Sequence, residues 1–232
     1  MKTIGMLGGM SWESSAVYYR LVNRAVQQRL GGVRSAKLLI HSFDFGEVET
    51  LQDAGRWDAA STLLEDAGRG LASAGADFLM ICCNTMHLMS EAVERAAERP
   101  LLHIADPLGR AIRTQGLNRV GLVGSRYTME KGGIVIARLK DRFDVDVVVP
   151  DAEDRAELHR IIIEELCRGR FLDGARQTHR AIFERLKARG AQGIVLGCTE
   201  IPLLIQPEDC DLPTFDTTAL HALAAVDMAL EA

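Results

Sequence analysis

The sequence predicts an α/β fold made of two similar lobes, each a parallel sheet wrapped by helices and related by a pseudo-twofold internal duplication. Three observations carry this. Short apolar runs alternate with longer amphipathic ones along the 232 residues, and strands joined by crossover helices pair in parallel. The pattern restarts near the middle of the chain. Two pairs of segments also match across the restart at one offset. AGADFLMICCNT (74–85) lies over RGAQGIVLGCTE (189–200) without gaps, 115 positions apart, and Gly124 stands 115 positions after Gly9. The repeat divides the chain into a first lobe, 1–105 plus 212–232, and a second lobe, 106–211. Sheets of this kind bind ligands beyond the carboxyl ends of their strands, so the expected active site is a cleft between the lobes.

Periodicity and punctuation place the elements. TIGMLG (3–8) reads as a strand, followed by a helix from Trp12 to Leu30 with Ser11 as its N-cap. AKLLIHSF (36–43) is a second strand, and the polar stretch from Asp44 to Arg56 reads as irregular. A helix from Trp57 ends at the Gly75 turn, and DFLMICC (77–83) is a buried strand. Helix 86–98 and strand LLHIA (101–105) follow. The second half reads as helix 107–116, strand RVGLVG (119–124), a helix to Phe143, strand DVVVP (146–150), two helices to Gly190 and strand GIVLG (193–197). A short strand near Pro213–Phe215 leads into a last helix, 217–230.

Composition excludes several classes. Hydrophobic residues make up 47% and charged residues 25%, which is ordinary globular usage. Twenty-seven basic against 32 acidic residues give a net charge of −5 with no basic block, so the footprint of a nucleic-acid binder is missing. No apolar run approaches the ~18 residues of a membrane span, and the start, MKTIGMLGGMSWESS, does not read as a secretory signal. The expectation is a cytoplasmic globular protein without a membrane partner. Five cysteines, an odd count, argue against a disulfide framework. No C-x-x-C pair occurs and the six histidines fall at no ligand spacing, so no metal is expected. Pyridoxal phosphate is also not expected, because none of the lysines (2, 37, 131, 140, 187) sits in a site-like motif.

The remaining candidates are thiols. Buried free cysteine is most often packing. Alternation along a strand sends Cys82 and Cys83 to opposite faces, and the repeat selects Cys83, which aligns with Cys198, while Cys82 aligns with Gly197. Cys82, Cys167 and Cys210 are left as packing. Asn84-Thr85 and Thr199-Glu200 follow the two thiols at strand-to-helix junctions, where backbone N–H groups attract an anion and would lower a thiol pKa from ~8.5 toward neutrality. Simple N-capping by Asn84, Thr85 and Thr199 is the alternative. His87 is a substrate contact or a solvated, capping histidine. The glycine loop Gly5, Gly8, Gly9 departs from the dinucleotide fingerprint and lacks its downstream acid, so it reads as a tight turn. Two opposed thiols suit inversion of a carbon centre: one removes a proton and the other returns one to the opposite face.

GMLGGMSWES near the start, CCNTMH at 82–87 and GCTEI at 197–201 resemble the aspartate/glutamate racemase superfamily over the whole chain. The nearest resemblance is to the aspartate-racemase branch and its broad-specificity amino-acid racemases. It implies a cofactor-independent, two-base racemase, a homodimer, with Cys83 and Cys198 as the catalytic pair. It further implies a substrate-binding set of Met10, Gln52, Asn84, Thr85, Thr128, Thr199 and Glu200, and a small amino acid as substrate. Aspartate-specific members are marked by basic residues after the second strand and on a helix of the second half. Here HSFDFGEVETLQ holds no lysine or arginine, and in EELCRGR Cys167 takes the basic position, with Arg168 and Arg170 as neighbours. Neutral or polar amino acids therefore enter the expected range. A cis–trans isomerase or decarboxylase of a small dicarboxylic acid, and a non-catalytic small-molecule binding protein, are the alternatives.

Overall fold

The computed structural model describes residues 1–130 and 133–231; Lys131, Gly132 and Ala232 lie outside the described residues. The chain forms two compact units, Met1–His103 with His221–Ala232, and Ile104–Leu220.

The first unit holds four parallel strands, β1 (Ile4–Gly8), β2 (Leu38–Ser42), β3 (Phe78–Ile81) and β4 (Leu101–Leu102), in the order β2-β1-β3-β4. Strand alternation sorts its core into two layers. Ile4, Met6, Phe78, Met80 and Cys82 face α1 (Trp12–Leu30) and α11 (Thr217–Leu230), packing on Tyr18, Val22, Ala222 and Ala225. Leu7, Leu79 and Ile81 face α3 (Trp57–Ser73) and α4 (Ser90–Ala97), packing on Leu64, Leu71 and Val93. Burial of each of these large side chains stabilises the unit by about 1.5–3 kcal/mol.

The second unit repeats the plan with β5 (Arg119–Gly124), β6 (Asp146–Val148), β7 (Ile194–Gly197) and β8 (Thr214–Asp216), parallel and ordered β6-β5-β7-β8. Around it lie α5 (Ala105–Thr114), α6 (Arg126–Met129), α7 (Ile134–Phe143), α8 (Ala152–Glu164), α9 (Asp173–Ala188) and α10 (Ile201–Leu204). The α/β fold with two similar lobes follows from the matching strand orders. Among the described residues, no helix is long and apolar enough to cross a membrane.

Several expectations change. Segment 212–220, placed by sequence in the first lobe, carries β8, which pairs with β7 in the register Ile194↔Thr214. The duplication itself requires this strand, as the partner of β4. The stretch after Asp44 is not irregular: α2 (Phe45–Asp53) forms there, because the Asp44 carboxylate accepts from the Gly46 N–H at 2.9 Å and buries Val48 and Gln52 on one face. Ser11 sits at the N-cap of α1, but its side chain makes no capping hydrogen bond. The segment read as helix 86–98 opens with a 3-10 turn, Thr85–Met89, before α4. The helix expected to run to Phe143 crosses Lys131 and Gly132, outside the described residues, and α6 and α7 flank that segment.

The first strands of the two units also correspond differently from expectation. Ile4 pairs with Phe78, 74 positions on, whereas Gly121 pairs with Ile194, 73 positions on. Gly8 therefore matches Gly124, and Gly5 matches Gly121, at an offset of 116. The contacts agree. A Cβ on Gly5 would lie 2.6 Å from Leu79 Cδ2, and one on Gly121 would lie 2.9 Å from Ile194 Cδ1, the residue 115 positions after Leu79. Gly5→Ala is expected to destabilise the protein by about 1–3 kcal/mol through overpacking. A urea midpoint lowered at constant slope checks this, and an unchanged midpoint contradicts it.

Candidate active site

In the first unit, the turn after β1 and the turn after β3 meet at the carboxyl ends of adjacent parallel strands. Gly9 makes the first turn possible. Its φ is +85°, and a Cβ there would lie 2.3 Å from the Phe43 carbonyl oxygen, so no other residue fits. The Gly9 N–H donates to Ser15 Oγ at 2.7 Å, which ties the turn to α1. After β3, Cys82 continues into the α1/α11 core with no exposed surface, and burial pushes its thiol well above the ordinary value, with Cys83 adding to the effect. Cys83 is only partly buried and packs on the opposite layer. Thr85 begins the 3-10 turn, and both Asn84 and Thr85 are buried. The Asn84 side chain does not cap that turn, so the plain N-cap reading fails for it.

Two further residues complete this group. Gln52, on α2, is buried and its Nε2 donates to Met86 Sδ at 3.0 Å, which fixes the amide against the Cys83 turn. Met10 is buried in the same apolar layer as Met86 and Phe43. His87 is fully buried rather than solvated, and its Nδ1 lies 2.8 Å from the Cys83 carbonyl oxygen.

The second unit presents the equivalent arrangement. Cys198 follows β7 directly and is partly buried. Its thiol donates to Glu200 Oε2 at 2.9 Å, and the Thr199 hydroxyl donates to the same oxygen at 2.9 Å. Glu200 and Thr199 are both buried. Thr128 on α6 lies beside them: its Cγ2 would stand 3.5 Å from a Cβ on Gly197, and its Oγ1 is 3.2 Å from Ser125 Oγ. Bare backbone at Gly124 and Gly197 permits this approach, since a Cβ on Gly124 would meet the Gly197 oxygen at 2.9 Å.

The Cys198 thiol is raised well above its ordinary value, by burial first, then by the Glu200 carboxylate, then by Cys167. This reverses the expected lowering by a helix start. Helix α10 begins only at Ile201 and spans four residues, so its dipole is weak against burial and an adjacent carboxylate. Cys167, read from sequence as packing, thus stands near enough to Cys198 to act on its charge. Arg168 and Arg170 are exposed.

Met10, Gln52, Asn84, Thr85 and Cys83 therefore fall in the first unit, and Thr128, Thr199, Glu200 and Cys198 in the second, where Thr199 and Glu200 are bonded to each other and Glu200 to the thiol. The sequence did not disclose His87 as a buried partner of the Cys83 backbone, nor Cys167 as a neighbour of Cys198.

Known proteins share this fold. The family model for Asp/Glu/hydantoin racemase matches residues 7–225. A crystal structure from Yersinia pestis, of a protein taken to be an Asp/Glu racemase, superposes with a TM-score of 0.91 at 47% identity, covering 100% of both chains. An aspartate racemase homologue from Pyrococcus horikoshii gives a TM-score of 0.84 at 31% identity, again over 100% of both chains. A glutamate racemase from Persephonella marina is 25% identical over 191 residues, 75% of this chain and 68% of the relative. With two four-stranded lobes of matching order and a family model spanning nearly its whole length, the chain belongs to the Asp/Glu/hydantoin racemase family and is an isomerase of the racemase type.

Proposed function

We propose that the protein interconverts L- and D-amino acids without an organic cofactor, using Cys83 and Cys198 as two bases. The observation that carries this reading is the repeated placement of one partly buried thiol just past equivalent strands β3 and β7, while Cys82 turns into the core. One thiolate takes the Cα proton and becomes a thiol. The electron pair left on Cα delocalises into the substrate carboxylate. The other thiol protonates the opposite face and becomes the thiolate, so protons balance and the centre inverts. Donors that hold the carboxylate more tightly as its charge grows lower this barrier. The backbone N–H groups at Asn84 and Thr85 supply that chemistry.

Burial and Glu200 keep Cys198 protonated at rest, so the acid role falls first to Cys198 and the base role to Cys83. For substrate choice, the half-buried Cys167 beside Cys198, with Arg168 and Arg170 exposed, favours neutral and polar side chains alongside acidic ones. Incubating a panel of amino acids in deuterated water, and reading Cα deuterium together with chirality, tests reaction and substrate at once. Deuterium entry with loss of optical purity is expected for several of them. Label entering none of the panel overturns the reading. Trp12 and Tyr19, seven residues apart on one face of α1 and 65% and 53% exposed, offer a surface for a second copy. Sedimentation velocity is expected to show a dimer.

A further inference from the structure

Beneath the Cys83 turn, three histidines and a tyrosine form a buried polar array that the two-base chemistry does not itself require. His87, His103 and His221 are 0%, 3% and 0% exposed, and Tyr18 is 0% exposed. The rings of His87 and His103 lie 4.6 Å apart between centroids, and those of His87 and His221 lie 5.6 Å apart. The hydrogen bonds fix the proton positions. A carbonyl oxygen only accepts, so His221 Nε2–H donates to the Leu102 oxygen at 2.9 Å. In the neutral ring, His221 Nδ1 then accepts from the Tyr18 hydroxyl at 3.0 Å. By the same logic His87 Nδ1–H donates to the Cys83 oxygen at 2.8 Å. The array joins α1, α11, β4 and the Cys83 turn, and it packs His87 on two sides.

The bond to the Cys83 oxygen has a directional consequence. The peptide unit between Cys83 and Asn84 is planar and trans, so its C=O and N–H point in opposite directions. Holding the oxygen toward the fully buried His87 turns the Asn84 N–H to the other side of the plane and fixes the rotation of the backbone that carries the Cys83 thiol. We propose that His87 is a positioning residue that sets both the Cys83 thiol and the Asn84 N–H, with His103, His221 and Tyr18 holding its ring in place. The inference rests on the two-base reading for its kinetic consequence and on geometry alone for its effect on Cys83.

The test compares His87→Asn with His87→Gln. The amide nitrogen of asparagine reaches the place of Nδ1, and that of glutamine reaches the place of Nε2. Cα deuterium exchange is followed separately from each enantiomer of an accepted amino acid. In His87→Gln, kcat/KM for Cα exchange is expected to fall about 10- to 100-fold, by the same factor from each enantiomer because the two are equally stable, and His87→Asn is expected to recover most of the loss. The iodoacetamide alkylation rate of Cys83, measured against Cys198 in the same molecule by peptide mapping, is expected to change in His87→Gln and return in His87→Asn. Asn and Gln variants that behave alike, or an unchanged alkylation ratio, would overturn the proposal. If the wild type exchanges no amino acid, the two-base reading fails, and the alkylation ratio alone then decides whether His87 positions Cys83.

Discussion

Replacing Cys83 or Cys198 singly with serine is expected to lower racemisation about 10³-fold, equivalent to about 4 kcal/mol of transition-state stabilisation. A hydroxyl is nearly the same size as a thiol but is far too weak an acid to form the anion near neutral pH. Both thiols are partly exposed at turns, so the exchange of sulfur for oxygen leaves the two cores intact. The two variants should not be equivalent. Each keeps one working base, so each retains Cα exchange from a single enantiomer, and the surviving enantiomer differs between them. Chirality and deuterium read on the same samples check this. Full racemisation by either variant contradicts it.

Glu200→Gln is expected to move the alkaline limb of the rate profile to lower pH, with the loss confined to the alkaline edge because burial still holds Cys198 above its ordinary range. The sign follows from the causes of the Cys198 shift. Burial comes first, and the Glu200 carboxylate, 2.9 Å away and hydrogen-bonded, comes next; both favour the thiol over the thiolate. Glutamine keeps an acceptor for the thiol and for Thr199 but removes the charge. Cys198 then ionises at lower pH, and the form with an acid opposed to a base becomes scarce as pH rises. Alkylation of Cys198 against pH gives the direct reading, and its midpoint should fall in the variant. A midpoint that stays or rises would show that the carboxylate does not hold the proton on Cys198.

The α/β class and the likeness of the two lobes were legible from the chain because both rest on local periodicity and one repeat. Alternation set Cys82 and Cys83 on opposite faces and the repeat chose between them, and the structure places Cys82 in the α1/α11 core while Cys83 packs against the other layer. Helix α2 was missed because its apolar face is short and its polar residues dominate; the Asp44 cap followed by Phe45, Val48 and Leu51 was the available signal. The strand β8 was assigned to the wrong sheet because its partner, β7, is set by pairing rather than by order along the chain. The fine chemistry around Cys198 had no local signal. Glu200 reaches the thiol only because the turn after Gly197 folds back, and Cys167 arrives from the 3-10 turn that follows α8. The role of His87 depends on His221, which lies 134 positions further along the chain, and so could not be read from CCNTMH.

The most direct test of two bases is the position of the label at early times in the wild type. A single enantiomer of an accepted amino acid is incubated in deuterated water, and product and recovered substrate are separated before about a tenth has reacted. Two bases deliver the solvent deuteron only to the new enantiomer, so the product should carry deuterium at Cα while recovered substrate keeps its proton. Deuterium appearing equally in both enantiomers from the start would mean that one group both removes and returns the proton, and would contradict paired action by Cys83 and Cys198.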